Sequence, residues 1–275
     1  MAHFSSTSNH SKPITSVSIP ENGSRRLHLV GLKARLSGEI KLESNNTNLK
    51  AIVKSAPFDG PKGIWVIDIK CSQATQAAKL KVWYRGIEQA VLTVNIVQQK
   101  VYVLPPENND KGLLVRLFLV ESLNPSKGNL YNSSDVFKSM LWMGCTIRNR
   151  KEHKNPSIFG IKLRAGESNY SYSDVVKAKN QFHGFEKYPS LYIDIKTNLA
   201  TIYSIANNYS HPKQDIYRIF IDNAEKAALM TINNTFTDPC KTGIYGWRTR
   251  GSSHPGGSFV KYKDFAGQTF YTLKG

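Results

Sequence analysis

From residue 14 to about residue 104 the chain alternates polar and apolar positions with a period of two. Glu39-Ile40-Lys41-Leu42-Glu43 alternates in this way, and Trp65-Val66-Ile67-Asp68-Ile69-Lys70-Cys71 places Trp65, Ile67, Ile69 and Cys71 on one face. Lys79-Leu80-Lys81-Val82 and the run from Val91 to Val97 continue the pattern. Alternation in β-branched and aromatic residues marks half-buried strands. The breaks between them carry turn chemistry: Glu21-Asn22-Gly23, Ser44-Asn45-Asn46, Asp59-Gly60-Pro61 and Arg85-Gly86. About seven strands in about 90 residues predict an immunoglobulin-like all-β sandwich over 14–104. No cysteine pair pins it. Residues 1–13 are polar and read as a flexible N-terminus.

Pro105-Pro106-Glu107-Asn108-Asn109-Asp110 breaks the pattern, and 105–111 reads as a linker. Beyond it the period becomes helical. Ser134 is placed to cap a helix running to Arg150, in which Val136, Met140, Met143 and Ile147 recur at spacings of four, three and four. Ser173 or Asp174 opens a short helix. Tyr192, Ile195, Leu199 and Ile202 mark another, and Ile216, Phe220, Ala224 and Ala227 a fourth, ending before Asp238-Pro239. Ser258–Tyr262 and Gln268–Leu273 read as a terminal strand pair. Residues 112–275 are thus expected to form a mainly α domain with a small C-terminal β element, making the chain multidomain.

Charge narrows the partners. The chain has 275 residues, with 37 Lys+Arg against 20 Asp+Glu, a formal charge of +17. Such a surplus suits a polyanion. It is dispersed, 14 basic against 6 acidic residues in 1–104 and 23 against 14 in 105–275. Zinc-finger spacings, basic heptads and aromatic RNA-binding strands are absent, so no nucleic-acid partner is expected. The best apolar run, Leu113–Val120, is short and interrupted by Arg116, so no membrane span is expected either. Met1–Pro13 lacks the apolar segment of a secretory leader. The protein is therefore expected to be made in the cytoplasm and exported without a cleaved signal peptide. Cys71, Cys145 and Cys240 contain no CxxC, which leaves three buried thiols, or a Cys145–Cys240 disulfide in an oxidising compartment.

HExxH, GxSxG, phosphate-binding and dinucleotide-binding motifs are missing, and no metal or cofactor is expected. Cys145 sits within an apolar helix beside Gly144, a poor place for a nucleophile, which needs an exposed electropositive setting. His183, His211 and His254 are scattered, with His254 in a Pro-Gly-Gly turn that could border a cleft. Glu121 is more informative. It ends the apolar segment Leu113–Val120 just before a loop. A partly desolvated carboxyl there has a raised pKa and can donate a proton near neutral pH, as a glycosidase general acid does.

The order Glu121, then Asn149-Arg150 at a helix end, then Gln181-Phe182, then Asp238-Pro239 followed by Ile244-Tyr245 resembles the spore-cortex-lytic type of cell-wall hydrolase. These are lysozyme-like peptidoglycan glycosidases and lytic transglycosylases. The resemblance spans about residues 112–250. It departs from the family where Glu-Ala-Arg-Gly-Glu would stand: this chain has Glu121-Ser122-Leu123-Asn124-Pro125, and the second Glu is missing. The insertion between the last helices is also long. The resemblance implies a lysozyme-like domain that cleaves peptidoglycan glycan strands, as muramidase or lytic transglycosylase, with Glu121 as general acid and base. Asn149, Gln181, Phe182 and Tyr245 would hold substrate or position the acid, and Trp247, Tyr170 and Tyr172 would stack on sugar rings. Glu167, Asp174 and Glu186 are candidates for a second carboxylate. With no leader, the chain reads as an antibacterial effector delivered by type VI secretion to the periplasm or wall of a target cell, its partners the glycan strands, an immunity protein and a secretion-machine component. A peptidoglycan amidase, a nuclease toxin and a non-enzymatic wall-binding protein are the competing readings.

Overall fold

The computed structural model describes residues 2–5, 12–54, 63–73, 77–98, 100–209 and 211–274. They form two compact units: Met1–Val101 with Asn207–Gln214, and Tyr102–Ala206 with Asp215–Gly275.

The first unit holds strands β1 (His3–Ser5), β2 (Ser16–Pro20), β3 (Ser24–Val30), β4 (Ile40–Ser44), β5 (Leu49–Lys54), β6 (Ile64–Cys71), β7 (Ala78–Tyr84) and β8 (Ile87–Val97). They make two four-stranded sheets, ordered β1-β3-β6-β5 and β2-β8-β7-β4. All pairings are antiparallel except β2 with β8, which is parallel. The period-two pattern explains the burial. Leu27, Leu29, Trp65, Ile67, Ile69 and Cys71 point inward, at most 3% exposed, and share one core with Val17, Ile19, Leu80, Val82, Leu92 and Val94. At Arg85-Gly86 both residues have positive φ, 51° and 75°, between the paired Tyr84 and Ile87. This is the two-residue hairpin turn whose twist matches its strands. The turn read at Asp59-Gly60-Pro61 lies outside the described residues, as do residue 1 and residues 6–11 of the N-terminal segment.

The second unit holds helices α1 (Asp110–Glu121), α2 (Ser133–Glu152), α3 (Tyr172–Val176), α4 (Ile193–Asn207) and α5 (Gln214–Ile232) and strands β9 (Gly246–Thr249), β10 (Phe259–Phe265) and β11 (Gln268–Leu273). The strands form an antiparallel sheet ordered β10-β11-β9. Helix α1 is buried on all sides from Gly112 to Leu119. Asn109 caps it, its side chain accepting from Gly112 N at 2.8 Å, and Arg116 donates to the carbonyl of Pro105 at 2.8 Å. The segment read as a linker is therefore fastened to α1. Helix α2 is capped by Asn132, which accepts from Asp135 N at 3.0 Å. Its stripe of Val136, Met140, Met143 and Ile147 is fully buried.

An immunoglobulin-like sandwich followed by a mainly α, lysozyme-like domain is not the architecture found. The chain is mixed, 33% helical and 28% strand, and its described residues form three small sheets: strands first, helices in the middle and a sheet at the C-terminus. Two physical reasons account for the difference. Period two reports that a strand has one buried face, but not which strand it pairs with or in which direction. The parallel β2–β8 pairing is of that long-range kind. The C-terminal sheet, in turn, is structural to the second unit. Phe270 is fully buried in the helical core, and Trp142 of α2 meets Phe265 at 4.7 Å and Phe270 at 5.0 Å between ring centroids.

Helices α2 and α5 meet where Gly144 faces Thr231. A Cβ at Gly144 would stand 2.0 Å from Thr231 Oγ1, which is itself held by the Ala227 carbonyl at 2.8 Å. Gly144→Ala is expected to destabilise the protein by about 1–3 kcal/mol through overpacking, read as a lower midpoint in urea with an unchanged slope. An unchanged midpoint would show that the contact yields without cost.

Candidate functional site

Four segments converge at the C-terminal end of α1. That end carries Glu121. Glu121 is half-buried, and its Oε2 accepts from Trp247 Nε1 of β9 at 3.2 Å. Its other carboxyl oxygen has no protein partner among the described residues. The Glu121 carbonyl, one of the orphan acceptors at a helix end, accepts from Gln268 Nε2 of β11 at 2.7 Å. Burial pushes the Glu121 carboxyl above its ordinary pKa, while the Trp247 N–H and the nearby His183 pull it down. Desolvation prevails because one donor and one partly screened neighbour replace little of the lost hydration.

Arg150, near the end of α2, ties the surrounding chain together. It is 6% exposed. Its Nε donates to the Tyr245 carbonyl at 2.6 Å and a terminal nitrogen to Gln181 Oε1 at 2.7 Å. Its guanidinium lies 5.1 Å from the Phe159 ring centroid and 5.7 Å from that of Phe182. Burial lowers its pKa to about 10, so it stays charged at neutral pH. Phe182 packs on Trp247 with 5.1 Å between centroids, which completes a continuous layer from Arg150 to Glu121.

Asn149 and Asp238 fix the turn that leads into β9. Asn149 Nδ2 donates to Asp238 Oδ2 at 2.6 Å and to the Ile244 carbonyl at 2.9 Å, while Asp238 also accepts from Ile244 N at 2.9 Å and Cys240 N at 2.8 Å. The turn they hold passes through Gly243 at φ 84°. A Cβ there would press the Tyr245 ring at 2.9 Å, so glycine is required on both counts. Tyr245 stacks on Phe159, 5.7 Å between centroids and 8° from parallel.

Of the residues singled out from the sequence, Glu121, Gln181, Phe182 and Trp247 thus lie in one connected group, with Asn149 bonded to the turn that leads into β9 and Tyr245 part of that turn. Tyr172 and Tyr170 lie elsewhere. Tyr172 is buried, donates to the Thr231 carbonyl at 3.1 Å, carries Lys151 over its ring at 4.7 Å and feels the charge of Asp110. Asp110 begins α1, and Glu121 ends it, about 16 Å further along the axis. Tyr170 is two residues before Tyr172. Among the proposed second carboxylates, Asp174 closes a capping box with Ser171 and pairs with Arg164 at 2.9 Å. Glu167 sits in an exposed turn, and Glu186 has one buried oxygen without a hydrogen-bond partner. His254 accepts from Gly256 N at 3.0 Å within its turn. The three cysteines are free and buried, and burial pushes the Cys145 thiol up to about 12. That is inert chemistry rather than nucleophilic.

Arg150 and Gln268 were not read as site residues. A signal for Arg150 was present: it extends the buried stripe of α2 by three residues beyond Ile147, a charge where an apolar side chain is expected. Gln268 offers no such local mark, because its role depends on how β11 meets α1. Among the described residues no group of three or more His, Cys, Asp or Glu is placed to hold a metal, and no helix is long and apolar enough to cross a membrane.

No protein-family model and no curated protein matches the chain. Among solved structures it is similar to domains 4 and 5 of the S-layer protein SbsC, with 16% identity and a TM-score of 0.24, covering 30% of this chain and 48% of that one. A second match, to SbsC domains 4–9, has 13% identity and a TM-score of 0.26 over 33% and 14% of the respective chains. The chain therefore spans less than half the length of either.

The Glu121 environment has a stability signature. Its raised folded-state pKa contributes stability that is full below the ordinary glutamate pKa of about 4.3 and lost as pH rises through the folded value. Glu121→Gln keeps an acceptor for Trp247 without the charge. Its melting temperature is expected to gain on wild type between pH 4 and pH 8. A gap that stays constant or shrinks over that range would mean that the carboxylate is not desolvated.

Proposed function

We propose that the chain cleaves glycosidic bonds of peptidoglycan glycan strands, with Glu121 as general acid and then base. The observation that carries this reading is the Glu121 carboxyl, desolvated at the end of an apolar helix, with one oxygen bonded to Trp247, the other without a hydrogen-bond partner among the described residues, and Phe182 packed on Trp247. A raised carboxyl pKa favours the protonated form that can give its proton to a glycosidic oxygen. As that oxygen leaves, the C1–O bond breaks and positive charge develops on the sugar ring. The Glu121 carboxylate formed in this step then takes a proton, either from water that adds to C1 or from the muramic C6 hydroxyl that closes on it. The second route needs no further carboxylate, in contrast to paired-acid hydrolysis. It is favoured by the absence of a second Glu after Glu121 and by the engagement of Asp174 with Arg164 and Ser171.

On this reading Gln181, oriented by Arg150, and the partly exposed Tyr245 and Trp247 receive the substrate. The site of action is the wall or periplasm of a target cell, with an immunity protein guarding the producer. The full chain is expected to release muropeptides from purified peptidoglycan, and Glu121→Gln to abolish release. Mass spectrometry separates anhydro products, expected for the C6 route, from reducing ends. Full release by Glu121→Gln would remove Glu121 from the chemistry. Trp247→Phe takes away the donor that holds the Glu121 pKa down. The alkaline limb of its pH–rate profile is expected at higher pH than in wild type, whereas an unmoved limb would mean that this hydrogen bond does not tune the acid.

A further inference from the structure

The outward face of the β1-β3-β6-β5 sheet carries a groove of about 520 Å³ whose lining is mostly basic. Strand register places Lys70 of β6 directly opposite Lys50 of β5, and Asp68 opposite both Arg26 of β3 and Ile52 of β5. Asp68 is taken up by Arg26, in a two-bond pair at 2.7 and 3.1 Å. Lys50, Lys54 and Lys70 are exposed and form no ion pair among the described residues. Directly opposed residues on one sheet face have Cβ atoms roughly 4.5–5.5 Å apart, and like charges there are destabilising. The core does not require this pair: the inward neighbours Leu49, Ile69 and Cys71 carry the packing. Ile52, 59% exposed, forms an apolar floor between the lysines.

We propose that this groove binds a carboxylate-bearing wall glycan strand and holds the enzyme on its substrate. The proposal rests on the peptidoglycan reading above. Lys50, Lys54, Lys70 and Arg26 share one carboxylate, Asp68, which acts on Arg26 and Lys54; the positive surplus supplies charge complementarity to an acidic polymer, and Ile52 offers a surface to the C–H face of a pyranose. Single-stranded nucleic acid is less well matched. Such sites use aromatic side chains as stacking platforms, and the described residues lining this groove include none.

The test is co-sedimentation of the full-length Glu121→Gln protein with purified sacculi, so that digestion does not obscure binding. Adding K50Q, K54Q and K70Q is expected to weaken sedimentation on the order of tenfold, whereas K50R with K70R is expected to retain it. A melting temperature at or above that of the parent, as relief of the Lys50–Lys70 repulsion predicts, establishes that the glutamine variant folds. With Glu121 intact, K50Q/K54Q/K70Q is expected to cleave short soluble glycan fragments at the wild-type rate. Failure of digestion would therefore overturn the enzymatic reading, and failure of sedimentation the binding one. The binding proposal is overturned if the glutamine variant sediments like its parent. It is equally overturned if the substitutions abolish capture of a 30-nucleotide single strand, about the length of a few such sites, while sacculus binding persists.

Discussion

The second unit is organised around a buried cation that has no acid beside it. Placing a guanidinium in a protein interior costs several kcal/mol unless its donors are met. Arg150 meets that cost with the Tyr245 carbonyl, the Gln181 side chain and the faces of Phe159 and Phe182. These partners come from three stretches of chain, around Phe159, Gln181-Phe182 and Tyr245, so satisfying one side chain fixes three segments against the end of α2. A carboxylate partner would have neutralised Arg150 but would have tied it to one place. Neutral acceptors and aromatic faces let it act as a hub while keeping its charge.

The consequence is felt at Glu121. Once Tyr245 is held, β9 begins one residue later and brings Trp247 to the carboxyl. Once Gln181 is held, Phe182 covers the other side of Trp247. The buried Glu121 carboxyl receives only one hydrogen bond, from Trp247, in return for the hydration it loses. The first unit has a separate logic. Its sheets need only inward alternation to fold, which leaves the outward face free to carry the opposed Lys50 and Lys70.

Much of the local structure was legible in the sequence, because it depends on near neighbours. The stripe Val136, Met140, Met143 and Ile147, the terminal strands and the Arg85-Gly86 turn follow from spacing and backbone preference. What failed was pairing. The parallel β2–β8 contact, and the packing of Phe270 under Trp142, join residues far apart in the chain, and neither leaves a periodic mark. Strand β9 has only Gly246, Trp247, Arg248 and Thr249, too few residues to show alternation. At the site, Glu121 was visible as a charge closing an apolar run. Arg150 was visible in principle, as a charge on a buried stripe. Gln268 was not, since only the assembled sheet brings it to the Glu121 carbonyl. Tyr172 shows the reverse error: an aromatic residue in a polar stretch looks available for a ligand, yet its ring is buried and its hydroxyl bound to Thr231.

Burial holds the Glu121 carboxyl above its ordinary pKa. A titration of the Glu121 side-chain carboxyl followed by carbon-13 NMR, assigned by difference against Glu121→Gln, measures this directly. A desolvated carboxyl gives a midpoint clearly above the ordinary glutamate value of about 4.3. A midpoint at or below that value would show that Trp247, His183 and solvent stabilise the carboxylate more than burial disfavours it, and the acid would be lost.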